Sequence, residues 1–261
     1  MPRRSSYKEG TPNWVDLMTH DTAGSKAFYA GLFGWEWEDQ IHEGQFLYSV
    51  ARKDGAQVAG LGEQPPEMQQ QGVPTMWNTY IAADSCDECT QRALDAGGKA
   101  VVDPMDVMDA GRMSFIADNQ GAVFGLWEAG LHKGAEVVNE PAAFTWAELF
   151  APDTDAAVRF YDAAVGLGTE TIDMGMGPYT TWNVEGNTVG GTMPPPMEEV
   201  PTHWHVYFGA EDTADVVARA QSLGGSVLNG PMDTPVGAMA TIRDPQGGAF
   251  SVIQLNEWPT D

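Results

Sequence analysis

His203, His205 and Tyr207 alternate within one segment, and Glu148 lies in another segment that is rich in strand-forming residues. Side chains at alternating positions of a strand lie on the same face, so the three rings would line one surface. Two imidazoles and one carboxylate form the ligand set of non-haem iron sites and some zinc sites. His203, His205 and Glu148 therefore predict a site for one divalent metal (Fe, Zn, Ni or Mn), with a metal-free site as the alternative.

The same groups also suit acid–base chemistry without a metal. Glu148 would lie beside Trp146, and desolvation there would raise the carboxyl pKa toward the range of a useful general base. Tyr207 would donate a proton or hold an oxyanion, and His205 would act as a metal ligand or as an acid. The predicted catalytic residues are thus Glu148, His205 and Tyr207. The alternative is that these groups only orient a bound ligand.

The elements that must position these residues occur twice along the chain. Trp14 and Phe28-Tyr29 of the first copy recur as Trp146 and Phe160-Tyr161. Two longer segments recur as well: Pro74–Tyr80 as Pro201–Tyr207, and Gly111–Phe124 as Gly237–Phe250. Solenoid units are about 20–50 residues long, so a repeat of this length indicates a duplicated domain. We expect one domain over residues 10–129 and a second over residues 142–257.

Each copy itself contains one plan twice. Residues 13–19 alternate like a half-buried strand, Asp21 can cap a helix that ends at Gly34, and Asp54-Gly55 is a strong hairpin turn. The pattern predicts an α+β protein of four βαββ modules. It does not reveal which modules pair, and Asp16 would replace Glu148 beside the histidines if the first module paired with the fourth.

These features resemble the vicinal oxygen chelate superfamily, which contains glyoxalases, bleomycin-resistance proteins and extradiol dioxygenases. The resemblance is carried by the four modules, the Asp-started helix with Phe-Tyr, the Gly-Gly helix end and the Asp-Pro-Gln-Gly hairpin. Residues 12–16 and 203–208 are similar to actinobacterial tandem glyoxalase-like proteins, among them a mycobacterial culture-filtrate antigen group. The resemblance implies two glyoxalase-like domains, each with a mixed sheet curled into a cup.

Active members of that superfamily hold a divalent metal in the cup, through residues of the first and last strands of each module. The positions that the resemblance assigns to these ligands are Trp14, Asn78, Trp146 and His205 on first strands, and Gly60, Gly125, Gly190 and Ser251 on last strands. Only His205 has a side chain able to bind a metal. The resemblance therefore implies that the usual metal site is missing from the first copy and mostly lost from the second.

Aromatic and polar residues of the predicted strands would line both cups. The predicted substrate-binding residues are Trp14, Asp16, Asn78, Tyr80 and Trp127 in the first cup, and Trp146 and Ser251 in the second. Trp77 and Trp204 directly precede Asn78 and His205, so their side chains lie on the other face of the strand, and we assign them to the core on the helix side. Aromatic walls of this kind suit a planar or apolar small molecule. We expect a glyoxalase-like enzyme for a small carbonyl or aromatic metabolite, with lyase, isomerase or oxygenase chemistry, or alternatively a non-catalytic protein that sequesters such a ligand.

The composition narrows the choice of partners. The chain has 37 acidic and 13 basic residues, a net charge of −24, which argues against nucleic acid and anionic membranes as partners. No apolar segment follows the basic start of the chain, so the expectation is a cytoplasmic protein that binds a small molecule, as a monomer or homodimer. Cys86 and Cys89 are the only cysteines, and they are expected to pack on one helix face.

Overall fold

Two eight-stranded sheets form the framework of the molecule, and the computed structural model describes residues 3–173 and 178–258. The first copy contains β1 (Pro12–Thr19), α1 (Thr22–Phe33), β2 (Glu36–His42), β3 (Gln45–Lys53), β4 (Ala56–Glu63), α2 (Pro66–Gln70), β5 (Met76–Ala82), α3 (Cys86–Asp95), β6 (Lys99–Val107), β7 (Gly111–Ala117) and β8 (Val123–Ala129). The second copy contains β9 (Phe144–Phe150), α4 (Thr154–Val165), β10 (Gly168–Asp173), β11 (Pro178–Val184), β12 (Asn187–Met193), β13 (His203–Gly209), α5 (Thr213–Ser222), β14 (Ser226–Thr234), β15 (Gly237–Arg243) and β16 (Ala249–Leu255).

Each copy builds its own sheet, in the order β2-β3-β4-β1-β5-β8-β7-β6 or β10-β11-β12-β9-β13-β16-β15-β14. The first strands of the two modules, β1 and β5 or β9 and β13, pair antiparallel at the centre. The first module thus pairs with the second, and the third with the fourth. Asp16 and Glu148 therefore belong to different sheets, and Asp16 does not complete the site around His205.

The predicted α+β fold with mixed, cup-like sheets is confirmed, and the structure adds a third strand after the helix of every module. These strands, β2, β6, β10 and β14, lie at the sheet edges. The residues of β2 are nearly all exposed, so no alternation of polar and apolar residues marks it in the sequence. A short helix, α2, also lies within the linker that follows β4.

The long helices begin and end where the local chemistry predicts. The Asp21 side chain accepts a hydrogen bond from the Gly24 amide at the start of α1, and Gly34 ends that helix with φ of 72°. In α4 the Asp153 side chain accepts from the Ala156 amide at the start of the helix, and Gly166 ends the helix with φ of 68°. A residue in this left-handed conformation is strained unless it is glycine, which explains the glycine at both helix ends.

The helix-side faces of the two sheets share one hydrophobic core. Trp77 and Trp204 lie in it, as predicted, and the rings of Trp77 and Phe208 from the two central strands approach to 5.0 Å. Because the cores merge, the cup faces lie on the outer surfaces of the two sheets. The limits 10–129 and 142–257 enclose the two sheets and stay a prediction.

Two matched tyrosines connect the copies. Tyr29 donates to Asp244 at 2.8 Å, and Tyr161 donates to Asp118 at 3.0 Å. Each tyrosine comes from the first helix of one copy, and each aspartate begins the last hairpin of the other. The Phe-Tyr and Asp-x-Gln-Gly motifs of the repeat therefore serve the contact between copies rather than either cup.

Among the described residues, the helices are all too short or too polar to cross a membrane.

Candidate functional site

The floor of the first cup holds a buried carboxylate with three hydrogen-bond donors. Asp16 on β1 accepts from the hydroxyls of Tyr48 and Tyr80, both at 2.9 Å, and from the Asn78 amide at 2.8 Å. The indole of Trp14 donates to the Tyr48 hydroxyl at 3.0 Å. Burial raises the pKa of Asp16, although its three donors oppose that effect.

The second cup repeats this cluster with a glutamate. Glu148 on β9 accepts from Tyr179 at 2.7 Å and from Tyr207 at 2.6 Å, one hydroxyl for each carboxylate oxygen. The Trp146 indole donates to the Tyr179 hydroxyl at 3.1 Å. Burial raises the pKa of Glu148 against the opposing effect of the two phenols, and it also raises the pKa of Tyr207, with help from the nearby carboxylate. A negative charge on Glu148 is thus stabilised by two phenols but poorly solvated.

Two glycines make room for these tyrosines. A Cβ atom added at Gly60 would overlap the Tyr48 hydroxyl, and one added at Gly191 would overlap the Tyr179 hydroxyl. Glu148 pairs with Gly191, so the last-strand position facing this cup is Gly191. The assignment of this position to Gly190 is wrong by one residue, because Gly190 faces away from the cup, against the Ala147 carbonyl.

His132, from the connection between the two copies, fills the first cup. Its ring lies edge-on to Trp14 at 4.4 Å and to Trp127 at 5.5 Å. Its Nδ1 lies 2.8 Å from the Gln57 amide oxygen, and its carbonyl accepts from the Trp127 indole at 3.0 Å. Burial lowers the pKa of His132 to about 4, so the ring is neutral at physiological pH. The structure brings together all the predicted residues of the first cup, namely Trp14, Asp16, Asn78, Tyr80 and Trp127, and each of them is buried.

The second cup is more exposed at its tryptophan. Trp14 is only 4% exposed, whereas its counterpart Trp146 is half-buried. Two other matched pairs, Tyr48 with Tyr179 and Met76 with His203, are half-buried in both cups. Phe150 lies beside both histidines, with ring centroids 5.3 Å from His203 and 5.6 Å from His205. A ligand therefore has aromatic edges to contact in the second cup, where the first cup has His132.

His205 lies directly opposite Glu148 in the pairing of β13 with β9. Its Nε2 lies 2.8 Å from the Ser251 hydroxyl, and its Nδ1 lies 3.4 Å from Nε2 of His203. His203 Nδ1 lies 2.8 Å from the Pro201 carbonyl. The structure therefore brings Glu148, His203, His205, Tyr207 and Ser251 to the same face of one sheet, as the alternation predicts.

The chemistry of these partners fixes the tautomers of both histidines. A carbonyl only accepts, so the Nδ1 of His203 carries the hydrogen and its Nε2 is an acceptor in the neutral ring. With the 3.4 Å contact taken as a hydrogen bond, His205 donates from Nδ1 to His203 and accepts from Ser251 at Nε2. Burial lowers the pKa of His205 to about 3, with a further contribution from His203, and burial also lowers the pKa of His203. Both rings are therefore neutral near pH 7.

The donor set fits a divalent metal poorly. Such a site needs at least three ligands with free lone pairs. Each oxygen of Glu148 accepts from a tyrosine and keeps one further lone pair, whereas the acceptor nitrogen of each histidine lies within hydrogen-bond distance of another side chain. Within residues 3–173 and 178–258, no group of three or more His, Cys, Asp or Glu side chains is arranged to hold a metal ion. The predicted combination of His205, Glu148 and His203 shares a face without forming such a group.

The cup residues that were not predicted from the sequence include Tyr48, Tyr179, Phe150, His132 and Thr241. Tyr48 and Tyr179 were detectable, because each lies in the third strand of its copy, twelve residues before a glycine of the cup floor. His132 lies in the connection between copies, and nothing in its neighbourhood indicates that the chain returns to the cup.

Comparisons with known proteins agree with this fold. Residues 11–126 match the model of the Glyoxalase/Bleomycin resistance protein/Dioxygenase superfamily, and residues 133–253 match that of the Glyoxalase-like domain. The chain belongs to the glyoxalase/bleomycin resistance protein/dioxygenase superfamily. It is 44% identical over 257 residues to the "Putative glyoxylase CFP32" of Mycobacterium tuberculosis, covering 97% of this chain and 98% of the relative. It is 38% identical over 264 residues to the "Anthracycline biosynthesis protein DnrV" of Streptomyces peucetius, covering 96% and 95%.

Solved structures of the superfamily share the fold at low sequence identity. The Mn(II)-bound glyoxalase from Novosphingobium aromaticivorans matches with a TM-score of 0.65 and 18% identity, over 96% of this chain and 84% of that chain. The 2,3-dioxygenase LapB from Pseudomonas sp. KL28 matches with a TM-score of 0.64 and 12% identity, over 97% and 95%. At these identities the likeness concerns the fold, and the site of this superfamily member must be argued from its own residues.

Proposed function

We propose that the second cup binds a small carbonyl or aromatic metabolite and catalyses general acid–base chemistry on it, as an isomerase or lyase. The observation that supports this most directly is the environment of Glu148. It is a buried carboxylate of raised pKa, placed among aromatic side chains, with two phenol hydroxyls at hydrogen-bond distance. A carboxylate of this kind removes a proton from carbon α to a carbonyl more readily than a solvated one.

The neighbours of Glu148 supply the remaining roles. When Glu148 takes up a proton, Tyr179 and Tyr207 no longer face a full negative charge, and the half-buried Tyr179 becomes able to donate to a developing enolate oxygen. Trp146 and Phe150 provide flat apolar contacts for an aromatic ligand. The relative named for anthracycline biosynthesis supports this substrate class, because anthracyclines are aromatic ketones.

A non-catalytic binding protein is the second candidate. The first cup favours it, because Asp16 keeps the same carboxylate–tyrosine cluster in a cup that His132 fills. The cluster can therefore persist as a structural element without turnover. A binding protein would retain affinity for aryl ketones and show no proton exchange.

Deuterium exchange at the carbon next to a carbonyl separates these candidates. We expect the protein to catalyse solvent exchange in a panel of small aryl ketones and 2-oxo compounds, followed by NMR, and Glu148→Gln to lower the rate on the order of 100-fold or more. Asp16→Asn is the matched substitution in the first cup and should leave exchange intact. Binding without exchange in the wild type would favour sequestration, and an equal loss in Asp16→Asn would refute the assignment to the second cup.

Metal analysis addresses the cofactor directly. One of the similar folds is described as Mn(II)-bound, and a divalent metal in the second cup would need His205 as a ligand. Stoichiometric metal in the purified protein that is lost in His205→Ala would show that the side chains rearrange to bind it. Exchange activity that survives chelation would support catalysis by Glu148 and the tyrosines.

A further inference from the structure

We propose that Tyr207, Ser251, His205 and His203 form a path that carries protons between Glu148 and the surface at Pro201. This proposal rests on the proposed role of Glu148 as a base. A buried base that removes a proton must release it before the next turnover. Glu148 is only 6% exposed, and both of its oxygens are covered by tyrosine hydroxyls, so release to water needs a route through the protein.

Each step of the path is a contact between neighbouring side chains. Tyr207 lies 2.6 Å from Glu148, and it pairs with Ser251 across β13 and β16, so that the two side chains are neighbours on one face of the sheet. Ser251 lies 2.8 Å from His205, which lies 3.4 Å from His203. Tyr207, Ser251 and His205 are buried, whereas His203 at the far end is half-buried, as are Thr241 beside Ser251 and Tyr179 on the other oxygen of Glu148. The buried groups thus lead from Glu148 to His203 as one of three side chains that reach solvent.

The tautomers give the path a direction. The Ser251 hydroxyl points toward Nε2 of His205, and Nδ1–H of His205 points toward Nε2 of His203. When Glu148 carries a proton, it donates to Tyr207, whose own hydrogen turns to Ser251. One proton then moves along each bond in turn, and His203 receives one at Nε2 and releases one to water. One proton enters at Glu148 and one leaves at His203, so no oxidant or other reactant is needed.

The first copy supports this reading because it keeps the carboxylate cluster and lacks the path. The positions that match His203, His205 and Ser251 are held by Met76, Asn78 and Gly125. Thr241, which lies 2.9 Å from Ser251, corresponds to Phe115. None of these four side chains can accept a proton from one neighbouring group and donate a proton to the next. The carboxylate–tyrosine cluster thus occurs in both cups, whereas the serine hydroxyl and the two imidazoles occur in the second cup and not at the matched positions of the first.

The test separates proton removal from proton release. Acetophenone deuterated at its methyl carbon would be used, with loss of deuterium to water followed by NMR. We expect Ser251→Ala and His203→Gln to slow this washout on the order of ten- to 100-fold. Added imidazole should restore washout in His203→Ala. His42→Gln, at an exposed histidine of β2, is the matched control.

Slow washout that added imidazole fails to restore in His203→Ala would show that the histidine only positions Glu148, and unchanged washout in the variants would show that the path is not used. Absence of washout in the wild type refutes the proposed function instead. A second measurement does not depend on any substrate. Nitrogen-15 NMR of the histidines should find His205 protonated at Nδ1 and His203 at Nδ1, and protonation of His205 at Nε2 in the resting protein would overturn the path.

Discussion

The histidine that fills the first cup should make the stability of the protein depend on pH. His132 has its pKa lowered from 6.5 to about 4 by burial, so the unfolded chain takes up a proton at a pH where the folded protein does not. Its contribution to stability is complete above about pH 6.5 and is lost progressively as the pH falls toward 4. For these two pKa values, linkage gives a loss of about 2 kcal/mol between about pH 8 and about pH 5.

The substitution His132→Gln isolates this contribution. At about pH 8 the variant should be less stable by about 1–3 kcal/mol, because the ring loses its edge contacts with Trp14 and Trp127. At about pH 5 the difference should shrink by about 2 kcal/mol, since glutamine has no proton to gain. His205 titrates in the same direction, so the comparison must be between the variant and the wild type at each pH.

Urea unfolding at the two pH values measures this difference. His42→Gln, an exposed histidine, serves as the control and should follow the wild type. A gap between the wild type and His132→Gln that is the same at both pH values would show that the imidazole is not held neutral inside the cup. That result would contradict the conclusion that His132 fills the first cup.

Three further results are expected. Gly191→Ala should displace the Tyr179 hydroxyl from Glu148, which would lower stability by about 1–3 kcal/mol in urea unfolding; wild-type stability and ligand affinity would contradict the geometry. Neither Cys86 nor Cys89 should react with a thiol reagent in the folded protein, because burial raises the pKa of both thiols, that of Cys89 to about 12; rapid labelling without denaturant would refute this. The net charge of −24 should make the free energy of unfolding rise from low to molar salt as repulsion is screened, and a flat salt profile would argue against it.

Much of the fold was predictable because the sequence carries its signals locally. Asp21 and Gly34 mark the two ends of a helix, and the repeat shows that the same marks at Asp153 and Gly166 have the same meaning. The edge strands were missed since they have little apolar surface to alternate. Their existence depends on pairing with the next strand of the hairpin, which is a property of the sheet rather than of the segment.

The candidate site was predictable to the extent that it follows strand alternation. His203, His205 and Tyr207 share a face for that reason, and Glu148 joins them because β9 and β13 pair in the register that sets it opposite His205. The hydrogen-bond partners were not predictable, since Ser251 reaches His205 only through the pairing of β13 with β16. Of the residues that suggested a metal site in the sequence, the two histidines contact each other, whereas Glu148 is hydrogen-bonded to two tyrosines instead.

The connection between the copies explains why the two cups differ. After β8 the chain must pass to β9, and it does so across the mouth of the first sheet, where the amides of Ala135 and Glu136 donate to the carbonyls of Asn13 and Gln57 at 2.8 Å each. His132 enters the first cup as part of that crossing. This connection covers Asp16, whereas Trp146 and Tyr179 beside Glu148 are half-buried. The hydroxyl and imidazole groups proposed to move a proton are accordingly found in the cup whose tryptophan is exposed to a ligand.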